Sequence, residues 1–212
     1  MKKDPFPLQK LISTTPICSV VHLDTVGSTN DHAKELIAAA SETLPVPMLI
    51  SADKQTAGRG RGSKKWWTGE GAIAVSLLLK LSDHGLDRDN LTSLSPLIAK
   101  AIAETVSEFI AHCGISGKNV EIHLPNDVYI SGKKVCGILI ESPKPDFCII
   151  GIGVNTNNTL ADAPPEFRDL PITTILDETD HSVDSVAFLT SLFNRVFSES
   201  MPTRSEPTPF IE

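Results

Sequence analysis

Between Gln55 and Trp67 the chain reads QTAGRGRGSKKWW. Arg59, Arg61, Lys64 and Lys65 stand in this stretch, Lys54 precedes it, and no acid intervenes between Asp53 and Glu70. A guanidinium presents a planar fork of donors that fits a carboxylate or a phosphate. Gly58, Gly60 and Gly62 leave backbone N–H groups open to close approach by an anion. Trp66 and Trp67, the two tryptophans of the chain, follow at once and could stack on a base. The chemistry on offer is therefore the capture of a small anion, in a chain whose formal net charge is -7. Two other readings share these features. One is a solvated connection between strands, since charge runs usually lie at the surface. The other is an RNA-binding arginine–glycine segment, although those are usually repeated, and this one is single and sits between apolar runs.

Other chemistries find less support. The stretch does not fit the phosphate-loop pattern GxxxxGK[ST], and GIGVNT lacks the last glycine of a dinucleotide fingerprint. No Gly-x-Ser-x-Gly marks a nucleophile elbow. The six histidines show no HxxxH spacing, so no metal site is expected. The acidic balance does not broadly attract nucleic acid or anionic membrane. No apolar run is long enough to span a bilayer, and the N-terminus has no long apolar core of a signal peptide. Cys18, Cys113, Cys136 and Cys148 form no CxxC pair and lie in apolar segments, which suits buried thiols in a reducing cytoplasm.

The elements that must position these groups follow from periodicity. Runs SVVHL, VPMLISA, AIAVSLLLKL, NVEIHL, DVYI, VCGILIE and FCIIGIGV read as strands. SGKK reads as a hairpin turn and LPND as a turn before DVYI. Ala33, Leu36, Ile37 and Ala40 form a helical stripe after Gly27, with Ser28 or Thr29 as cap. A longer stripe runs from Leu94 through Leu97, Ile98, Ile102 and Val106 to Ile110, stopped by Gly114. A last amphipathic helix starts near Ser182. Residues 155–180 read mostly as loop. Strands in consecutive hairpins with helices at both ends and in the middle predict an α+β domain with a largely antiparallel sheet. Residues 1–200 form one domain on this reading, and 201–212 a frayed tail.

GSTND, QTAGRGRGSKKW, PNDVYISGKKVCGILIE and GIGVN occur in this order, and together they resemble the biotin protein ligases, also called biotin–[acetyl-CoA-carboxylase] ligases. The resemblance spans roughly residues 20–155. It implies a central mixed sheet flanked by helices, of the class II synthetase-like type shared with lipoate ligases. It implies two steps: biotin and Mg-ATP give biotinyl-5′-AMP, and biotin then passes to one lysine of a biotin carboxyl carrier domain. Biotin's carboxylate is ionised at pH 7 and needs no base. The obstacle is its repulsion from the α-phosphate, about 4 kcal/mol for unit charges 4 Å apart at an effective dielectric near 20. Cations and N–H dipoles are what such a step requires.

Matched by motif, Ser28, Thr29 and Gln55 resemble the partners of the biotin ureido ring, with Asn30 in the same motif. Gly58, Arg59, Gly60 and Arg61 resemble the loop holding the carboxylate and phosphates. Trp66 resembles an adenine-stacking aromatic, and Asn126 and Asn155 resemble adenine- and ribose-side contacts. Lys134 fits the catalytic lysine; strand alternation would place it on the face of Cys136 and Ile138. Gly137 would let the backbone approach biotin. Asp127 could serve the acceptor lysine or simply satisfy its turn. His123-Leu124 departs from the Lys-Trp that the family commonly has here. In further departures from the family, no N-terminal helix-turn-helix and no small C-terminal barrel domain are expected in this chain, and hence no DNA partner; a homodimer is left open. Lipoate–protein ligases and octanoyltransferases share the fold and a lysine but usually carry Arg-Ser/Thr-Gly-Gly-Gly where this chain has GRGR. A non-catalytic biotin- or RNA-binding module is the remaining alternative. Without ligand, residues 56–65 are expected to be poorly ordered, because four cations repel with no acid among them.

Overall fold

In the computed structural model, which describes residues 8–40 and 44–201, the branched runs become β1 (Ser19–Val26), β2 (Met48–Gln55), β3 (Ile73–Lys80), β4 (Val120–His123), β5 (Asp127–Ile130), β6 (Lys133–Glu141) and β7 (Phe147–Val154). They form one sheet in the order β1-β2-β3-β7-β6-β5-β4. β1 and β2 pair in parallel, and the remaining pairs are antiparallel. The sheet is thus mixed and largely antiparallel, as expected. Strands β1–β3 and β4–β7 make two blocks that meet along one seam, where Ile73–Lys80 pairs with Phe147–Val154.

The helices are α1 (Leu8–Thr14), α2 (Thr29–Ala39), α3 (Leu91–His112), α4 (Pro165–Arg168), α5 (Ile175–Thr179) and α6 (Ser185–Arg195). α2 supplies the crossover that a parallel pair such as β1 and β2 needs. α1, α4 and α5 are too short to show a period in the sequence. Asp184, not Ser182, caps α6: its carboxylate accepts from the N–H groups of Val186 and Ala187. Leu97, expected in the α3 stripe, is 42% exposed, because the buried arc passes through Leu94, Ile98 and Ala101 instead.

One face of the sheet carries α1, α3 and α6. Leu49, Leu77, Ile150 and Ile152 meet Ile98, Ile102, Phe188 and Leu192 there, all almost fully buried. Each such side chain contributes roughly 1.5–3 kcal/mol of transfer free energy. A π-helical turn, Val196–Ser200, bends the chain back so that Met201 is fully buried in this core. Met201 therefore does not belong to a frayed tail, and residues 202–212 lie outside the described residues. The opposite face is covered in part only, where α2 packs Ala33 and Ile37 on Met48, Ile50, Leu78 and Ile149. The uncovered remainder of that face is the cleft described below. Cys136 and Cys148 are buried, and burial pushes the Cys148 thiol up to about 12. Cys18 is exposed and Cys113 half-buried, against the expectation of four buried thiols; all four are free. Among the described residues no helix is long and apolar enough to cross a membrane.

Candidate active site

A cleft of about 970 Å³ opens beside α2 on the partly covered face. Its floor is made of small residues. A Cβ on Gly151 would stand 2.5 Å from Asn30 Oδ1, and one on Gly153 would stand 2.3 Å from the Trp66 indole. These glycines alternate in GIGV, so both face the cleft from β7. They were missed as site residues, although alternate glycines inside an apolar strand are the signal of close approach.

Ser28, Thr29, Asn30, Gln55, Arg59, Gly60, Arg61, Trp66, Asn126, Asp127, Lys134, Gly137 and Asn155 all line the cleft. Gly58 does not. It closes the base of the basic loop, where its carbonyl accepts from the Trp66 N–H at 2.9 Å and a Cβ would stand 2.5 Å from the Trp66 carbonyl oxygen.

The N-terminal end of α2 sorts its polar groups by use. Ser28 is the cap residue by position, yet its side chain makes no capping bond. Its hydroxyl has no hydrogen-bond partner among the described residues and is left to the cleft. The Thr29 N–H and hydroxyl both donate to Gln55 Oε1, at 2.9 and 3.2 Å, while Gln55 Nε2 donates to Thr68. Asn30 is 3% exposed and spent on the fold. Its oxygen accepts from Ser76, and its nitrogen donates to Glu141 and to the Leu139 carbonyl. It brackets α2 to β3 and β6.

The basic loop takes its counter-charges from outside its own sequence. Arg59 donates to both oxygens of Asp31 in the first turn of α2, and Glu141 lies 3.5 Å away. The Arg59 hydrogen bonds, against the effect of burial and together with Lys34, hold the Asp31 carboxyl below the usual carboxylate range. Arg61 donates to Asn126 Oδ1 at 3.0 Å, a neutral partner that leaves its charge uncompensated. The loop is further tied by Gly60 N–H to the Lys64 carbonyl at 2.8 Å. Acids distant in sequence thus supply the counter-charge that residues 56–65 lack among themselves.

Lys134 enters from the far block. Its Nζ is 2.7 Å from Asp127 and 5.9 Å from the centre of the Trp66 ring. It does not share a face with Cys136 and Ile138. Tyr129 pairs with Lys134 while Val128 pairs with Cys136, so Val135 is an extra, bulged residue. The bulge reverses the alternation and puts Lys134 on the face of Gly137, where a Cβ would stand 3.2 Å from its Nζ. The room above Gly137 thus holds the ammonium and the indole. Asn126 is saturated by Arg61, Asp127 and the Ile138 carbonyl. Asn155 is buried, and its side-chain oxygen accepts from Asn158. Trp66 Nε1 is buried without a partner.

His123 lies outside the cleft and stacks on Tyr129 at 3.8 Å, while the neighbouring Leu124 is 73% exposed. Tyr129, Phe167, Leu170 and Ile172 also line the cleft. Residues 167–172 come from the segment read as loop, where nothing periodic marks them. On the other face of the sheet His22, Asp24 and Asp53 bring ligand atoms within 4.8 Å of one another. Parallel pairing of β1 and β2 makes that grouping, and histidine spacing alone does not reveal it.

The sequence profile of the biotin/lipoate A/B protein ligase family matches residues 24–155. The chain is 35% identical over 156 residues to the bifunctional ligase/repressor BirA of Bacillus subtilis, covering 71% of this chain and 44% of that protein. It is 33% identical over 170 residues to the biotin–[acetyl-CoA-carboxylase] ligase of Paracoccus denitrificans, covering 76% and 65%. The chain thus spans less than half of the Bacillus relative's length. Among solved structures, the biotin protein ligase from Aquifex aeolicus in complex with biotin and ATP superposes with a TM-score of 0.69 at 30% identity, covering 85% of this chain and 69% of that one. The Leishmania major enzyme in complex with biotinyl-5-AMP gives 0.66 at 26% identity, covering 84% and 73%.

Proposed function

Because this chain belongs to the biotin/lipoate A/B protein ligase family, we propose that it catalyses ATP-dependent biotinylation of one lysine on a biotin carboxyl carrier domain, by way of biotinyl-5′-AMP. The observation that carries this reading is the arrangement of one cleft. The ureido-type partners Ser28, Thr29 and Gln55 line it from the first block. Arg61, with its charge uncompensated, and Lys134 stand in it from opposite sides of the seam.

In the first step the biotin carboxylate attacks the α-phosphorus of ATP, and the bond to pyrophosphate breaks. Lys134 and Arg61 supply positive charge between two anions, and the loop N–H groups add dipoles. Mg2+ enters with ATP as part of the substrate. Trp66 forms a wall of the pocket on which the adenine can stack. Arg59 acts on the loop through Asp31 rather than on the anion directly. In the second step the carrier lysine's amine attacks the acyl carbonyl, AMP leaves, and an amide forms. Asp127 takes or orients the amine's proton. The setting is a reducing cytoplasm, which the four free thiols support. Residues 8–40 and 44–201 act as the catalytic domain.

Biotin-dependent exchange of pyrophosphate into ATP tests the reading. The parent chain is expected to show it with biotin and not with lipoate or octanoate. Lys134→Ala should lower it by about 100-fold or more, the usual effect of removing a charge stabiliser, with the fold kept. Exchange without biotin dependence, or near-normal exchange by the variant, would overturn the assignment.

A further inference from the structure

The main chain of Lys134 sits where its strand has lost one neighbour. The pairing of β6 with β7 starts at Cys136 and Val154, two residues further on. In place of β7, residues 171–173 run alongside in a parallel bridge. The Lys134 N–H donates to the Pro171 carbonyl at 2.7 Å, and the Thr173 N–H donates to the Lys134 carbonyl at 2.9 Å. On its other side lies the bulge at Val135. Beyond its pairing with Tyr129 in β5, the backbone of the cleft lysine is therefore held by this short segment.

A single carboxylate grips that segment. Glu178, in the five-residue helix α5, has a side chain only 7% exposed. It accepts from the Thr173 hydroxyl at 2.8 Å. Its other oxygen is 2.5 Å from Lys118 Nζ, just before β4. Lys133, the neighbour of Lys134, lies 3.5 Å away. One buried carboxylate thus joins three stretches: the entry to β4, the β5–β6 hairpin and the 171–173 segment. Such a group is held ionised by its partners, and removing it leaves two ammoniums uncompensated beside the hairpin.

We propose that Glu178 is a positioning residue for Lys134, fixing the 171–173 segment and thereby the place at which the Lys134 ammonium enters the cleft. This rests on the ligase reading for its catalytic consequence, though not for its structural one. Glu178→Gln keeps the size and the acceptor for Thr173 but removes the charge; Glu178→Ala removes both. In the full chain, Glu178→Ala is expected to lower kcat for biotin-dependent pyrophosphate exchange about tenfold, since misplacing a reacting group by a fraction of an ångström has that scale of effect. The KM for biotin should stay within about twofold, because Ser28, Thr29 and Gln55 lie across the seam. Glu178→Gln should fall between parent and Ala. In a Lys134→Ala background the Glu178→Ala change should add no further loss, the non-additivity expected of residues that act through one another. Hydrogen exchange should show lost protection at the Lys134 and Thr173 amides and unchanged protection in β1–β3. That readout decides the positioning even if the parent shows no exchange reaction and the ligase reading fails. Unchanged protection at those two amides would overturn the proposal, as would an equal further loss on top of Lys134→Ala.

Discussion

Lys134 carries its charge into the cleft beside a carboxylate, Asp127, at 2.7 Å. That pair sits where the two proposed steps make opposite demands. Adenylation needs the ammonium, whereas transfer needs a neutral acceptor amine. An ordinary lysine has a pKa near 10.4, so only about one acceptor amine in two thousand is neutral at pH 7. Asp127→Asn is therefore expected to slow transfer from preformed adenylate about 100-fold more than it slows adenylation, the lower end of the range for a lost proton acceptor. Single-turnover measurement of each step checks this; equal slowing would leave Asp127 as a holder of Lys134 alone. The types of these residues were legible from the motifs, but their directions were not. Simple alternation puts Lys134 with Cys136 and Ile138, whereas the inserted Val135 puts it on the face of Gly137. Asn30 and Asn126 were read as ligand groups, yet both spend their amides on protein partners. A sequence shows that an amide is present; it does not show which neighbours a sheet will bring to it.

At the scale of elements, the loop from Gly58 to Lys65 behaves as a small hairpin clasped to α2. Arg59 and Lys65 form its one bridge, and Asp31 with Glu141 supplies the clasp. Both partners of the Arg59–Asp31 pair are partly exposed, so it is worth about 1 kcal/mol or less. Arg59→Ala and Asp31→Ala should each raise hydrogen exchange across residues 58–65 by up to about fivefold, the equivalent of that energy. The double variant should exchange no faster than either single one. Additive effects would show that Arg59 holds the loop through some other group. The fold class and the seven strands were legible because each strand is a branched run bounded by turn residues. The helices α4 and α5 were not, since four and five residues cannot display a 3.6-residue period. They matter nonetheless: α5 carries Glu178, and α4 carries Phe167, which lines the cleft.

For the whole molecule, one buried imidazole adds to the sensitivity to mild acid. His84 lies in the turn just after β3, 7% exposed, with its ring 5.9 Å from Phe197. Burial holds its pKa below the ordinary value, against the pull of Asp83 and of the Met201 backbone. The unfolded chain takes up this proton near pH 6.5 and the folded chain resists it. The unfolded state then binds more protons below that pH, so stability is complete above it and declines as the pH falls. Urea midpoints at pH 7.5 and 5.5 should differ for the parent, by at most about 1.4 kcal/mol per pH unit from this group. His84→Leu should flatten that difference; an unchanged slope would assign it to other groups. The seam between the two strand blocks has a separate consequence. Ser28, Gln55 and Arg61 come from the chain before Ile73, and Lys134, Gly137 and Asn155 from the chain after Val120. Severed between Leu86 and Asp87, the polypeptide would leave half of the cleft's lining on each fragment, so the cleft depends on Ile73–Lys80 staying paired with Phe147–Val154.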